Sequence, residues 1–185
     1  MISEEIRADR YAFAQLGCDE MDSYNKIREL YQGTRLCIEH TSDITGISWS
    51  VVLKNVYAMV FGMADELQLG DNMRGYLAVA ALRELDQIVR KMGGQAGSPY
   101  HLAGLGDLIT TATSEDSHHH ELGRMLAREE VRGIEGEGIH TLEMVSQHRL
   151  FNTADYPLFR LIHDIVRSPQ GVRKRINVYL KQVYS

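Results

Sequence analysis

The chain is poor in cysteine and proline: its 185 residues include 2 cysteines, 3 prolines and a single tryptophan. Cys18 and Cys37 lack the paired spacing of a zinc site, and two cysteines cannot form the disulfide framework of a small secreted domain. The N-terminus, MISEEIRADR, is polar and charged, unlike a secretory signal, and we expect no apolar run long enough to span a membrane. Together these absences predict a location in the reducing cytoplasm.

The sequence also lacks a large excess of positive or negative charge. The net charge is -5, with 24% charged and 44% hydrophobic residues, which is typical of a globular protein. A small acidic excess gives no reason to expect binding to nucleic acid or to an anionic membrane. The length is sufficient for one sizeable core, or for one domain with a fragment of another.

The first 43 residues have the pattern of a strand, a helix and a second strand. Residues 10–17 and 34–40 are typical of strands, and residues 19–31 place acids early and bases late, as a helix dipole favours. Two parallel strands with one helix do not form a stable sheet alone. We therefore expect a remnant of a larger sheet, whose exposed edge pairs with a second copy or with an N-terminal domain that precedes Met1.

From residue 44 onward the pattern is helical. The last predicted helix places its apolar residues on one face, and Pro157 suits the first position of the helix before it. The sequence therefore predicts a mostly α-helical protein, with a β-α-β segment over residues 1–43 and a helical domain over residues 44–185. The predicted helices cover residues 44–67, 71–92, 107–113, 117–130, 158–166 and 172–183, and one more follows a turn at residues 135–138 and runs through residue 147.

Lys54 and Asn55 interrupt an otherwise apolar helix. Ser50, Ala58 and Gly62 follow helical spacing and lie on the same face as Lys54, so the lysine is expected beside a cleft. A lysine in partly apolar surroundings can exchange a proton near neutral pH. The alternative is a lysine whose stem crosses the edge of the core and whose ammonium group reaches solvent.

A second candidate site lies in the segment HLAGLGDLITT, residues 101–111. Gly104 and Gly106 allow the backbone to approach a neighbour closely. Asp107 and Thr111 are one helical turn apart, so the carboxylate can hold a lysine ammonium while the threonine donates to a substrate oxygen. The alternative is that Asp107 simply caps the start of a short helix.

Three consecutive histidines, His118, His119 and His120, suggest a metal site, but their spacing argues against it. Adjacent residues on a helix point about 100° apart, so three in a row do not converge on one ion. His140 or His163 would have to join them. We therefore expect no metal, and interpret the three as surface histidines near a cleft.

Several short blocks in the same order resemble the signature blocks of the NAD(P)-dependent glycerol-3-phosphate dehydrogenases. They are LKNVYA (53–58), GMAD (62–65), LGDN (69–72), LAGLGDLITT (102–111) and EG (137–138). The resemblance covers nearly the whole chain. It implies the helical C-terminal catalytic domain of that family, preceded by a short remnant of its Rossmann nucleotide-binding domain.

The resemblance also implies roles for individual residues. Lys54 would be the general acid and base at the C2 oxygen of dihydroxyacetone phosphate, and Asp107 would orient it. Asn55 and Thr111 would bind the substrate, a phosphorylated triose, and Glu137 would lie near the ribose or adenine end of the cofactor. NAD or NADP would serve the full-length parent enzyme.

The sequence departs from the family's pattern in ways that leave alternatives open. It contains no G-x-G-x-x-G turn for a cofactor pyrophosphate, so we expect this chain alone to bind no NAD(P) and to show negligible turnover. The candidate substrate-binding residues His118 and His119 stand where the family has an arginine, which binds the substrate phosphate, and an asparagine. Ala80 aligns with another family arginine. The alternatives are a non-catalytic dimerisation or binding module, and a dehydrogenase domain for an unphosphorylated 2-keto substrate.

Overall fold

The computed structural model describes residues 3–114, 117–130 and 133–185. A short helix α1 (Ser3–Arg7) is followed by β1 (Ala12–Gly17), α2 (Met21–Leu30) and β2 (Leu36–Thr41). The rest of the described chain is helical, which confirms the predicted fold class. Its helices are α3 (Ile44–Glu66), α4 (Asp71–Lys91), α5 (Asp107–Thr113), α6 (His118–Ala127), α7 (Glu137–His148), α8 (Pro157–Arg167) and α9 (Val172–Tyr184), with 3-10 turns at Ser98–Tyr100 and Thr153–Asp155 and a π-helix at Leu102–Gly106.

The β-α-β segment forms a two-stranded parallel sheet within the described residues. Its register runs from Ala12 opposite Leu36 to Gly17 opposite Thr41. Helix α2 packs on this pair through Tyr24, whose hydroxyl donates to the Ile38 carbonyl oxygen at 2.9 Å. Each end of the two strands and of α2 lies within two residues of its predicted position, whereas the pattern did not predict α1.

Helix α3 is the centre of the fold, because α4, α5, α6, α7 and α8 all pack against it. An 18-residue window within it has a mean hydropathy of 1.3, so by length and composition α3 could cross a membrane. The expectation that no apolar run reaches this length was wrong, because the valine, leucine, isoleucine and phenylalanine side chains of α3 outweigh Lys54 and Asn55 in the mean hydropathy. However, 61% of that window is buried inside the protein, so core packing accounts for its apolar character.

Helices α3 and α6 cross in direct backbone contact. A Cβ atom on Gly62 would lie 1.9 Å from the His120 carbonyl oxygen, and one on Gly123 would lie 1.9 Å from the Met59 carbonyl oxygen. No side chain fits at either position. The strip of small residues that predicted a cleft therefore serves packing at its Gly62 end, while the buried Ser50 hydroxyl donates within α3 to the Gly46 carbonyl oxygen at 2.7 Å.

The π-helix Leu102–Gly106 connects directly to α5. A Cβ on Gly104 would lie 2.1 Å from the Pro99 carbonyl oxygen, so glycine is required there, whereas the nearest atom to a Cβ on Gly106 is 3.5 Å away. The close approach predicted for both glycines thus holds for the first alone. From the sheet, Gln15 Oε1 accepts from the Ala103 backbone N–H at 2.9 Å and ties β1 to this turn.

A buried carboxylate joins α3, α4 and α8 on another side of the core. Glu84 accepts hydrogen bonds from the Leu158 and Phe159 backbone N–H groups at 2.6 and 2.8 Å, and from the Tyr57 hydroxyl at 3.0 Å. The two amides belong to the first turn of α8, which leaves such groups without partners inside the helix. Burial raises the pKa of Glu84, although these three hydrogen bonds oppose the rise.

Candidate active site

The Lys54 ammonium group is held inside the protein by two side chains of α5. Lys54 is 8% exposed, and its Nζ lies 2.7 Å from Asp107 Oδ2 and donates to Thr111 Oγ1 at 3.1 Å. Asp107 is the first residue of α5 and Thr111 lies one turn later, so both reach the same point on α3. The structure therefore brings these three predicted residues together, and the alternative of a solvent-directed ammonium is wrong.

The ion pair sets the charge state of the carboxylate. Burial alone would raise the pKa of Asp107, but the hydrogen bond from Lys54 and its positive charge are among the interactions that hold this pKa below its usual value. Asp107 is therefore ionised at neutral pH. Its side chain contacts Lys54 instead of capping its own helix, since no side-chain cap is present at the start of α5.

Asn55 and Glu137 form a second pair next to Lys54. The Asn55 Nδ2 amide donates to Glu137 Oε2 at 2.8 Å, and this contact joins α3 to the first residue of α7. Asn55 Oδ1 is buried and has no hydrogen-bond partner among the described residues. A buried acceptor without a donor costs about 1–3 kcal/mol, so this oxygen is a natural position for a donor of a bound molecule.

An apolar cavity opens beside this pair. Its volume is about 390 Å³, and Trp49, Val52 and Met144 line it together with Asn55 and Glu137. The cavity borders predicted substrate- and cofactor-binding residues. The structure places Glu137 one hydrogen bond away from Asn55, while its role at the ribose or adenine end of a cofactor stays a prediction.

The three consecutive histidines lie in three different environments. His118 is exposed and its Nε2–H donates to the Glu135 carbonyl oxygen at 2.8 Å, whereas His119 Nε2 accepts from the Gly138 backbone N–H at 3.3 Å. His120 is only 4% exposed. The interpretation of all three as surface histidines is therefore wrong for His120, because the close crossing of α6 and α3 buries it.

His119 is uncharged at neutral pH. Burial above all, together with the charges of His118 and Lys54, lowers the pKa of His119 to about 4, against the opposite effect of Glu137 and Asp107. The hydrogen bond from Gly138 agrees with this, since an Nε2 that accepts an N–H carries no proton itself. The Lys54 charge therefore acts on the imidazole of His119, while the neutral imidazole adds no positive charge to the site.

The other predicted positions fall outside this cluster. Ala80, which aligns with a family arginine, packs against the hydrophobic core. Cys18 and Cys37 carry free thiols. Within residues 3–114, 117–130 and 133–185, no three histidine, cysteine or acidic side chains are arranged to hold a metal ion.

Comparison with known proteins assigns the helical part of the chain to a family. A family model described as the C-terminus of NAD-dependent glycerol-3-phosphate dehydrogenase matches residues 43–177. The chain belongs to this family. The glycerol-3-phosphate dehydrogenase (NAD(P)+) of Deinococcus radiodurans is 38% identical over 138 residues, which are 71% of this chain and 42% of that protein. A second such enzyme, from Lactobacillus delbrueckii, is 27% identical over 96% of this chain and 55% of its own length.

Solved structures show the same fold. The glycerol-3-phosphate dehydrogenase of Coxiella burnetii superposes with a TM-score of 0.80 at 24% identity, covering 95% of this chain and 57% of that protein. The enzyme of Saccharomyces cerevisiae gives a TM-score of 0.76 at 20% identity over 97% of this chain and 57% of its own length. The chain thus spans about half the length of the relatives it matches, and it corresponds to their helical C-terminal part.

Sequence reasoning missed a polar cluster behind the site. Asp65, Arg74 and His120 meet where α3, α4 and α6 come together. Asp65 lies in the GMAD block that carried the family resemblance, but no pattern in the chain indicates which distant residues it contacts. The sequence also could not predict that Asn55 Oδ1 lacks a hydrogen-bond partner in the described part of the chain, because the contacts of Asn55 depend on where α7 begins relative to α3.

Proposed function

We propose that this chain is the substrate-binding and catalytic half of an NAD(P)-linked glycerol-3-phosphate dehydrogenase, which interconverts dihydroxyacetone phosphate and glycerol 3-phosphate. The observation that carries the proposal is the Lys54 ammonium group, buried and held between the Asp107 carboxylate and the Thr111 hydroxyl. Membership of the family supports the reaction class, and the names of the relatives support NAD(P) as the cofactor.

The proton chemistry follows from the hydrogen bonds of Lys54. The ammonium group donates a proton to the C2 carbonyl oxygen as that oxygen becomes an alkoxide, and the amine takes the proton back in the reverse reaction. Asp107 keeps the ammonium oriented and offsets the cost of burying its charge. Because Thr111 accepts from Nζ, its own hydroxyl hydrogen is available for a substrate oxygen.

Asn55 supplies the second fixed point for the substrate. Glu137 accepts from the Asn55 amide group, which leaves Asn55 Oδ1 as an acceptor for a substrate hydroxyl. A hydroxyl that donates there lies next to Lys54 along α3. Binding of this kind gives the buried Asn55 Oδ1 a hydrogen-bond donor and orients the C2 carbonyl group, whose oxygen receives the proton from Lys54.

The apolar cavity is the proposed contact with the cofactor, with Glu137 at its ribose or adenine end. A bound nicotinamide supplies the hydride that the reaction requires. Trp49 and Val52 provide an apolar wall, and Glu137, which lines the same cavity, would accept from a ribose hydroxyl or the adenine amino group of the cofactor. The sequence has no G-x-G-x-x-G turn for the pyrophosphate, so we propose that the nucleotide-binding half of the parent enzyme binds that end.

The test is to join this chain to the nucleotide-binding half of the Deinococcus radiodurans relative and to follow NADH or NADPH oxidation with dihydroxyacetone phosphate. We expect turnover by the fusion and negligible turnover by the chain alone. A folded fusion without activity would contradict the catalytic proposal and support a non-catalytic binding or dimerisation module. Turnover by the chain alone would contradict the need for a second half.

One observation favours a second candidate substrate, an unphosphorylated 2-keto compound. His119 is neutral, and the His118 Nε2–H is already donated to the Glu135 carbonyl oxygen. Neither imidazole therefore resembles a permanently charged guanidinium as a partner for phosphate. The same fusion distinguishes the two substrates: a kcat/KM for dihydroxyacetone above that for its phosphate would establish the second candidate, and the opposite order would exclude it.

We also propose that the chain associates with itself or with a nucleotide-binding half through its β-α-β segment. Large apolar side chains are exposed there, including Tyr11 at 66%, Phe13 at 56% and Leu30 at 77%. Exposed apolar groups beside short parallel strands favour a partner. Sedimentation of the chain alone should show a dimer at micromolar concentration, and a stable monomer would contradict self-association. The location of the protein in the cytoplasm is a separate prediction from the sequence.

A further inference from the structure

His120 takes part in a partly buried polar cluster that the proposed chemistry does not use. Its Nε2 lies 2.6 Å from Asp65 Oδ2, and Arg74 donates to the same carboxylate through Nε at 2.6 Å and through a second guanidinium nitrogen. Burial alone would raise the pKa of Asp65, but the hydrogen bonds from Arg74 and His120 hold it below its usual value. An ionised Asp65 accepts the His120 Nε2–H even when the ring is neutral.

The backbone of His120 is held as firmly as its ring. Its N–H donates to the Ser117 hydroxyl oxygen at 3.3 Å, which caps α6. Its carbonyl oxygen lies against Gly62, where a Cβ would come within 1.9 Å. The first turn of α6 is therefore fastened to α3 through the ring and the carbonyl group of a single residue.

His119 precedes this anchor and makes its contact at the candidate site. Its Nε2 accepts from the Gly138 N–H at the start of α7, and the neighbouring Glu137 accepts from Asn55. Adjacent residues on a helix point in different directions, so His119 can contact α7 while His120 contacts α3. Any movement of the first turn of α6 therefore changes the distance between His119 and the Asn55–Glu137 pair.

We propose that His120 is a positioning residue: its hydrogen bond to Asp65 holds the first turn of α6, and so keeps His119 packed against Gly138 and the Asn55–Glu137 pair. The inference rests on the proposed function only in treating this pocket as a substrate site. The contact itself is a property of the chain alone, and it can be tested without turnover.

The test uses the imidazole of His119 as a reporter. Its pKa is measured by NMR pH titration of the full chain, with the His119→Asn variant identifying the resonance. The charged groups that act on this ring are those of Lys54, Asp107, Glu137 and His118. The variants are His120→Leu, which removes the donor, and His120→Gln, whose amide can still donate to Asp65.

A matched control comes from α8, where His163 Nε2 lies 2.9 Å from Ser146 Oγ and Nδ1 lies 3.4 Å from Asp164 Oδ1. His163→Leu removes a comparable histidine contact away from the site. Circular dichroism and thermal melting of every variant show whether it is folded.

In the wild-type chain we expect the His119 pKa near 4, because burial and the charges of His118 and Lys54 lower it. His120→Leu should raise it by about one unit or more toward the ordinary histidine value, because the ring gains solvent. His120→Gln should restore the low value and His163→Leu should leave it unchanged.

A folded His120→Leu chain with the wild-type His119 pKa would overturn the proposal, and so would failure of His120→Gln to restore it. If His120→Leu does not fold, Asp65→Asn replaces it, since this change keeps the size of the side chain and removes its charge. A wild-type His119 pKa in folded Asp65→Asn would also overturn the proposal. An inactive fusion enzyme, by contrast, concerns only the proposed function.

Discussion

Two carboxylates contact helix α3 at side chains only three residues apart, and they differ in the partner they receive. Asp107 lies 2.7 Å from the Lys54 ammonium, whereas Glu84 accepts from the neutral Tyr57 hydroxyl and two backbone amides. Both are largely buried, yet the pKa of Asp107 is lowered and that of Glu84 is raised. Burial favours the neutral form at both sites, and at Asp107 the Lys54 ammonium is among the interactions that reverse that preference.

This difference distinguishes the proposed active site around Lys54 from the contact through which Glu84 joins three helices. The Lys54–Asp107 pair keeps an ammonium group in place beside Asn55, whose Oδ1 has no partner among the residues described. Glu84 has three donors and closes the start of α8. A carboxylate that holds a cation next to an unsatisfied acceptor can serve a substrate, whereas one surrounded by neutral donors joins helices.

The largest expected effect is on turnover of the fusion enzyme. Lys54→Met should lower kcat/KM by about 10²- to 10⁴-fold, because it removes the proton donor at C2. Lys91→Met is the matched control, since Lys91 lies on the surface, where it pairs with Asp155 at 3.4 Å and faces the Tyr156 ring. Steady-state assays with dihydroxyacetone phosphate measure both. Equal activity of the two variants would show that Lys54 matters no more to turnover than a surface lysine at the end of α4.

On the structural side, Glu84→Leu should lower the free energy of unfolding by about 3 kcal/mol or more, because three buried donors lose their acceptor. Glu84→Gln keeps an acceptor and should cost about 1 kcal/mol. Urea denaturation of the chain measures both values. A neutral effect of Glu84→Leu would show that the α3–α4–α8 joint does not depend on this carboxylate.

The close crossing of α3 and α6 gives a smaller effect. Gly123→Ala should destabilise the chain by about 1–3 kcal/mol, since its Cβ meets the Met59 carbonyl oxygen and the helices must separate. Gly75→Ala is the control within α4, because a Cβ there meets nothing within 4 Å. Thermal melting should show a loss for the first variant and a small gain for the second. The reverse order would contradict direct backbone contact.

The smallest effects are opposite dependences of stability on pH. Glu84 has a raised folded-state pKa, so its contribution is complete below its ordinary pKa of 4.5 and is lost as pH rises through the folded value. Asp107 has a lowered one, so its contribution is present above its ordinary pKa of 3.8 and is lost as pH falls through the folded value.

His119 behaves like Asp107 in this respect. Its pKa falls from 6.5 to about 4 in the folded chain, so it contributes stability above pH 6.5 that is lost on acidification toward pH 4. The midpoint of urea denaturation is measured between pH 3 and pH 7 for the wild-type chain and for three variants. The part of its pH dependence that comes from Glu84 should be absent in Glu84→Gln. The parts that come from Asp107 and His119 should be absent in Asp107→Asn and His119→Asn. Unchanged pH profiles in these variants would show that the three groups titrate alike in the folded and unfolded chain.

Sequence reasoning reached the helices and the residues around Lys54 because these depend on short-range patterns. Periodicity located α3 and α4 nearly to their ends, and the blocks around Lys54 and Asp107 stand in family order. It did not reach α1, the π-helix or the burial of His120. The π-helix and His120 both have contacts between segments distant in the chain, namely Gln15 with Ala103 and the backbone of His120 against Gly62.

By itself, the sequence determined that the chain is mostly helical, that it resembles one dehydrogenase family, and that Lys54 and Asp107 are candidates for its chemistry. Only the tertiary structure decided that α5 places Asp107 on Lys54, that Asn55 Oδ1 remains without a donor within the described chain, and that three adjacent histidines play three different parts. The reason is physical. Helical periodicity is set by neighbours in the chain, whereas a side chain's partners and burial are set by how closely the helices pack.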